Sequence, residues 1–290
     1  MNQQKNTIFV EEASILAHES FSGGQHIMRL DAPKCAAKAE PGSFIHIRCE
    51  ELLAMRRPIS IMRANSGEGW VDILFKELGQ GTKLLAQRQV GDLLSLMGPI
   101  GNPFALSSEH KRPLLIGGGV GIPPMVYLAE SIYAGEMDFQ PLVLMGSEIP
   151  FPFETVKSKL AVPGIDQACF ATMPLLEEWG IPARLASNAK FEGCFDGFIT
   201  DLARCYLRSL SASELQEVEL FSCGPHPMLS AVSALAKEFD LPCQLSLEEY
   251  MACAVGGCAG CVVKVKTSEG EAMKRVCVDG PVFRAEELSL

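Results

Sequence analysis

From residue 7 to about 107 the apolar positions come in short runs with polar residues and turn pairs between them. The runs are Thr7 to Leu16, His26 to Leu30, Ser43 to Cys49, Arg57 to Arg63, Trp70 to Lys76 and Leu93 to Met97, with Pro41-Gly42, Ser66-Gly67 and Gly98-Pro99 among the punctuation. Short runs at this spacing predict a small antiparallel β-barrel, with one helix over Gly81 to Gln89. From Lys111 the texture changes. Apolar runs at Leu114 to Ile116, Pro141 to Met145 and Val218 to Ser222 alternate with helical stretches at Met125 to Ile132 and Leu229 to Phe239. Strands alternating with helices predict an α/β domain with a parallel sheet and crossover connections. A glycine- and cysteine-rich segment and a terminal hairpin follow from about Gln244. The expected division is therefore 1–108, 109–243 and 244–290.

Length supports the division, because 290 residues exceed one ordinary core. With 25 Lys+Arg against 35 Asp+Glu the formal charge is −10, which argues against a nucleic-acid or anionic-membrane partner. No apolar run reaches the roughly 18 residues of a membrane span, and no signal-peptide pattern opens the chain. The eleven cysteines are an odd number, and the expected compartment is the reducing cytoplasm.

Four of those cysteines carry the strongest chemical signal. Cys253, Cys258 and Cys261 stand in C-x4-C-x2-C spacing and Cys277 follows at a distance, the arrangement that wraps a [2Fe-2S] cluster. Such a loop folds back over inorganic sulfide and turns backbone N–H groups toward it, and Gly256, Gly257 and Gly260 relieve the crowding. A zinc ribbon would show two C-x2-C knuckles where this segment has one; four unliganded buried thiols is the remaining reading. Cys35, Cys49, Cys169, Cys194, Cys205 and Cys243 lack motif spacing and read as small buried hydrophobes.

Three further motifs concern nucleotides. Arg57-Pro58-Ile59-Ser60 offers a guanidinium fork to a pyrophosphate and a hydroxyl to a flavin ring. Its partner signal is Leu74-Phe75-Lys76 followed by Gly81-Thr82, where a helix start presents N–H groups to phosphate. Each half also has a plain reading as a strand edge or an N-cap; together they favour an FAD site. Gly117, Gly118, Gly119 and Gly121, with Pro123, form a glycine-rich turn between the strand ending at Ile116 and a helix. A dinucleotide pyrophosphate sits on this arrangement, although Pro124 stands where the third glycine of a Rossmann fingerprint belongs; a ligand-free tight turn competes. Cys223-Gly224-Pro225 ends the strand at Ser222 and is a candidate wall of a nicotinamide pocket, with a buried structural thiol as the alternative. His226 reads as a surface residue at a helix start.

In this order, Arg57-Pro-Ile-Ser60, Gly81-Thr82, Gly117-Gly-Gly-Val-Gly-Ile-Pro-Pro124, Cys223-Gly-Pro and the cysteine loop resemble the ferredoxin-reductase superfamily. Within it, Glu248-Glu-Tyr-Met-Ala-Cys253 running to Cys277-Val-Asp-Gly-Pro-Val-Phe283 resembles the electron-transfer subunits of type B, NAD-dependent dihydroorotate dehydrogenase. The resemblance implies an oxidoreductase subunit in pyrimidine biosynthesis, with FAD on the barrel, NAD(H) on the α/β domain and the cluster at the edge facing an FMN-containing catalytic subunit in a heterotetramer. It implies Arg57 to Ser60, Leu74 to Lys76 and Gly81-Thr82 as FAD contacts and Cys253, Cys258, Cys261 and Cys277 as cluster ligands, with electron relay rather than a catalytic residue as the chemistry. The small subunit of an NADH-dependent ferredoxin:NADP+ oxidoreductase and the gamma subunit of a sulfhydrogenase resemble the chain in the same motifs and stand as alternatives, as does a non-catalytic redox-sensing module whose cluster reports oxidation to a partner. The segment from about Glu148 to Asp196 departs from the pattern, and within it Arg184 and Lys190 are candidates to meet a 2′-phosphate if the nucleotide is NADP, with a solvated surface charge as the alternative reading of each.

Overall fold

The computed structural model of the chain describes residues 7–290; residues 1–6 of the expected first domain lie outside the described part. The first region contains β1 (Phe9–Phe21), β2 (Gln25–Asp31), α1 (Pro33–Ala36), β3 (Phe44–Ile47), β4 (Arg57–Asn65), β5 (Trp70–Lys76), α2 (Gln80–Leu85) and β6 (Leu93–Ile100). The six strands close into an antiparallel barrel in the order β1-β2-β5-β4-β3-β6. Ile45 and Ile47, Ile59 and Ile61, Val71, Ile73 and Phe75, and Leu94 and Leu96 are buried together, which is the period-two alternation that fills a small barrel. The intervening residues Pro58 and Ser60 therefore face outward. The helix expected over Gly81 to Gln89 is shorter than its pattern. Gly79 is its N-cap, and it ends at Leu85 because the chain must turn back into β6: the Gln89 N–H donates to the Asp92 carboxylate at 3.0 Å, and Gly91 adopts φ +93°.

The second region contains β7 (Arg112–Gly118), α3 (Ile122–Ala134), β8 (Leu142–Gly146), β9 (Val156–Lys157), β10 (Ala171–Thr172), α4 (Pro174–Glu178), β11 (Ala183–Ser187), β12 (Phe195–Asp196), α5 (Ile199–Ser209), α6 (Ala212–Leu215), β13 (Val218–Cys223), α7 (His226–Phe239) and β14 (Cys243–Ser246). The last contains β15 (Val262–Thr267), β16 (Gly270–Arg275), α8 (Val276–Asp279) and β17 (Val282–Arg284). One sheet runs β12-β11-β8-β7-β13-β14-β17, parallel except for the antiparallel edge strand β17. Its central strands are apolar on both faces, as helix-covered parallel strands must be. Leu114, Ile116 and Leu144 belong to one core and Leu115, Val143 and Met145 to the other.

The cluster segment is not a free appendage. Its strand β17 completes the sheet, and Met251, Ala254, Cys261, Val276 and Cys277 share a core with α5 and α7. On the other face Met62, Leu74 and Phe104 of the barrel region share a core with α3, so the crevice between barrel and sheet is held from both sides. The atypical segment reaches across it as well: Gln25 Nε2 donates to the Pro150 carbonyl at 2.7 Å.

Candidate functional site

Arg57 begins β4, and Gly81 lies directly beneath its side chain. A Cβ on Gly81 would stand 2.8 Å from Arg57 Nε, so this glycine is what lets the guanidinium lie along the first turn of α2. Arg57 Nη1 donates to the carbonyls of Met55 at 2.6 Å and Arg56 at 3.1 Å. Neither Arg57 nor the half-buried Lys76 takes part in an ion pair among the described residues. Two cations without counter-charge beside a helix N-terminus suit an anionic pyrophosphate. The Thr82 hydroxyl is already engaged, accepting from the Leu78 and Gly79 N–H groups at 3.0 and 3.3 Å, so Thr82 has its main chain to offer. Leu74 and Phe75 are 2% and 3% exposed, and Phe75 stacks on His26 inside the fold; of this trio only Lys76 turns a side chain outward. Arg63, near the other end of β4, is spent elsewhere, on Glu130 of α3 at 2.6 Å.

The glycine-rich turn and the Cys223 turn meet at the carboxyl ends of neighbouring strands, with Gly117 opposite Cys223 in register. In an open parallel sheet ligands settle at this end. A Cβ on Gly121 would run into the main chain of Cys223 and Gly224, and one on Gly118 into the Met228 sulfur. Gly119, at φ +55°, meets nothing within 4 Å and faces the open crevice. Pro123 is in the first turn of α3, where a missing N–H costs nothing. Cys223 is buried, its thiol pushed well up by loss of water and then by the neighbouring Glu248. The thiol lies 3.8 Å from Glu248 Oε1. Glu248 is exposed at the edge of the sheet, yet protein packed around its carboxyl raises it above the usual range, against the Cys223 thiol that lowers it. Pro225 and His226 are exposed, and Gly224 packs on the Gly118 carbonyl and Met228.

The four cysteines come together as two pairs. Cys253 and Cys258 are in contact, and so are Cys261 and Cys277. No three metal-binding side chains gather round a single point among the described residues; two thiols at each of two positions is the ligand division of a two-iron cluster. Main-chain N–H groups converge on the sulfurs. The Cys258 N–H points to Cys253 Sγ and the Gly260 N–H to Cys258 Sγ, both at 3.4 Å. Burial pushes the Cys253 thiol up, but N–H groups of Val255, Cys258 and Gly257 and the Cys258 thiol outweigh it and bring it down to about 7. Burial, then Cys261, raises Cys277 to about 12, against a Gly256 N–H that lowers it. Left-handed backbone at Ala254, Gly256 and Ala259 makes the loop a series of anion-binding nests. The residues fit an anionic cluster held by thiolates. Arg275 buckles the loop, with Nε to Asp279 at 3.1 Å and Nη1 to the Gly256 carbonyl at 3.3 Å.

Three of the placements, those of Arg184, Cys194 and Cys205, differ from expectation. Arg184 is 7% exposed and its Nη2 donates to the Leu160 carbonyl at 2.6 Å, so it pins the atypical segment instead of meeting a nucleotide. Lys190 is exposed just beyond β11. Of the six cysteines read as buried hydrophobes, Cys35, Cys49, Cys169 and Cys243 are buried, Cys194 is half-buried and Cys205 is exposed. The roles of Glu248 and Arg275 left no local signal, since an acid or a base among polar neighbours looks the same whichever way it folds.

Residues 248–289 match the iron-sulfur cluster binding domain of dihydroorotate dehydrogenase B. The chain aligns with the solved NADH-dependent reduced ferredoxin-NADP oxidoreductase at a TM-score of 0.77 and 23% identity, over 96% of this chain and 90% of that one; the likeness is one of fold. A ferredoxin reductase in carbazole 1,9a-dioxygenase aligns at a TM-score of 0.60 and 25% identity, over 80% of this chain and 65% of that one. The protein named dihydroorotate dehydrogenase B (NAD(+)), electron transfer subunit, of Caldanaerobacter subterraneus subsp. tengcongensis is 36% identical over 87% of both chains. The protein of the same name in Shouchella clausii is 30% identical over the whole of both. At that identity over that much of its length, and with the paired thiols in place, the chain belongs to the family of electron transfer subunits of dihydroorotate dehydrogenase B.

Proposed function

We propose that the chain carries electrons between dihydroorotate, oxidised to orotate on a separate catalytic subunit, and NAD+, and so serves pyrimidine biosynthesis. The observation that carries the reading is the cysteine loop, with two thiol pairs under converging N–H groups on a flavin-reductase frame. Residues 1–108 serve as the FAD barrel, 109–243 as the NAD(H) domain and 244–290 as the [2Fe-2S] part.

Bound FAD supplies the conversion between hydride pairs, which nicotinamide exchanges, and the single electrons that a [2Fe-2S] cluster exchanges. Arg57 and Lys76 hold its pyrophosphate against the start of α2, and Ser60 turns its hydroxyl outward on the same strand. Gly119 leaves room for a dinucleotide over the start of α3, while Gly117, Gly118 and Gly121 keep the two turns close enough to form one wall. Cys223, buried beneath the wall, closes its inner end, with the Glu248 carboxyl 3.8 Å from the thiol. Cys253 with Cys258 and Cys261 with Cys277 hold the cluster, and the N–H groups of residues 255–260 stabilise its negative charge.

The partner in this reading is an FMN-containing catalytic subunit, paired in a cytoplasmic heterotetramer. Cys258 and its neighbours are exposed, which leaves the loop open to such a subunit. The purified chain should reduce artificial one-electron acceptors with NADH and make no orotate; dihydroorotate:NAD+ activity should appear when the FMN subunit is added. Orotate formed by the isolated chain, or a purified chain with zinc in place of iron and sulfide, sinks the proposal.

A further inference from the structure

The strand β3 reads Phe44-Ile-His-Ile47, and the histidine is the polar residue in an otherwise apolar run. His46 is 1% exposed and stands opposite Pro58 of β4, in the Arg57 to Ser60 motif. Its Nε2 lies 3.2 Å from the main-chain oxygen of Met251, two residues before Cys253. A carbonyl only accepts, so Nε2 carries the proton and donates it. Burial, reinforced by Arg56 and Arg57, lowers the imidazole to about 4 against the hydrogen bonds that raise it. The ring is therefore neutral near pH 7, and Nδ1 has no partner within hydrogen-bond distance among the described residues. A buried polar atom without a partner is destabilising, and Ile45 and Ile47 point the other way, into the barrel core. What His46 contributes is its bond to Met251.

The other end of the cluster segment has its own tie to the barrel region. Asn102 donates twice, from its main chain to the Gly280 carbonyl at 2.7 Å and from Nδ2 to the Asp279 carbonyl at 3.0 Å. That fastens the Cys277 side. His46 fastens the Cys253 side, and it does so from the strand paired with the flavin strand.

We propose that His46 is a positioning residue for electron transfer within this chain: by tying Met251 to the strand beside Arg57 to Ser60, it holds the Cys253 to Cys261 loop at one distance from the flavin. The proposal rests on the cofactor assignment above. Electron transfer between fixed carriers falls steeply with distance, so a loop free to swing at one end transfers more slowly even when both carriers are present and have unchanged potentials. A residue that served stability alone would change content and melting and leave that split untouched.

The test compares His46→Leu and His46→Gln in the full-length, FAD- and cluster-loaded chain. Glutamine can place an N–H near the position of Nε2; leucine cannot. In His46→Leu, flavin bleaching by NADH and both midpoint potentials should stay as in the wild type, while cluster reduction, followed by stopped flow, slows by about tenfold, about 1.4 kcal/mol in the barrier. His46→Gln should recover most of the rate. In the metal-free chain, amide exchange across residues 249–256 should rise in His46→Leu and not in His46→Gln, a reading that survives if the leucine variant loses its cluster. Unchanged exchange in His46→Leu, an unchanged cluster-reduction rate in a fully loaded leucine variant, or a glutamine variant as impaired as leucine overturns the proposal. A wild-type chain without iron fails the cluster assignment itself, and the proposal falls with it.

Discussion

The nucleotide turn at Gly117 to Gly121 and the cysteine loop at Cys253 to Cys261 are both rich in glycine, for opposite reasons. In the turn, most of the glycines are required by the protein itself. The start of α3 and the Cys223-Gly224 turn approach so closely that a Cβ on Gly117, Gly118 or Gly121 meets Ile122 and Met125, Met228, or the Cys223 main chain. Only Gly119 faces open space. In the loop the balance is reversed: a Cβ on Gly257 meets nothing within 4 Å and one on Gly260 meets only the Cys258 sulfur at 3.5 Å, whereas Gly256, at φ +78°, would press on Val278. The turn therefore keeps its shape without a ligand, and the loop keeps free space beside its thiols. Glycine content alone reports neither condition.

The contrast can be broken most decisively at Cys258. Cys258→Ala should abolish iron and sulfide binding, because three thiolates cannot complete two pairs, yet the metal-free variant should melt within about 0.5 kcal/mol of the metal-free wild type, since the residue is exposed. Full iron retained by elemental analysis, or a large loss of metal-free stability, would show that the loop is a packing element like the turn. Gly121→Ala should do the reverse. Backbone stands in the way and cannot yield, so a loss of about 3 kcal/mol, the upper end for overpacking, is expected in urea unfolding even of ligand-free protein. A midpoint unchanged from wild type would mean that the two turns can separate at little cost.

Arg57 and Arg63 sharpen the same distinction on a single strand. Arg57→Ala should weaken FAD retention by about 1.5 to 3 kcal/mol, the range for a hydrogen bond to a charged group. Arg63→Ala should leave FAD bound and lower melting modestly, because Arg63 joins Glu130 at 2.6 Å and lies 5.6 and 5.5 Å over Trp70 and Trp179. Equal FAD occupancy in both variants after gel filtration would place the pyrophosphate elsewhere. The smallest effect belongs to Gly257→Ala, expected to change metal-free stability by less than about 1 kcal/mol, near the ordinary propensity difference, while reducing cluster loading. Undiminished loading would mean that the space beside Gly257 is not needed by the cluster.

Much of this protein was legible along the chain because its signals are local. Short runs between turn pairs mark barrel strands wherever those strands end up, an apolar run followed by glycines marks a buried parallel strand, and C-x4-C-x2-C keeps three ligands in one loop whatever surrounds it. Composition and spacing were therefore enough for the barrel, the α/β sheet and the cysteine loop. The pattern of helix α2 runs past its end because Ala86-Gln-Arg-Gln89 holds no glycine or proline to stop it, and only the need to re-enter the barrel cuts it at Leu85.

What the polar residues bond to was a matter for the tertiary structure alone. The Arg-Pro-Ile-Ser motif marks Arg57 and not Arg63, but only partners remote in the chain leave Arg57 without an ion pair among the described residues and make Arg63 half of one with Glu130. Arg184 is a surface charge on composition and a buried pin in the fold. Glu248 against Cys223, Arg275 over Gly256 and His46 beneath Met251 join positions 25, 19 and 205 residues apart. Hydrogen bonds and charge interactions act over a few ångströms of space with no memory of sequence separation, so no pattern along the chain records them, whereas hydrophobic periodicity is written into the chain by the geometry of the strand or helix it must form.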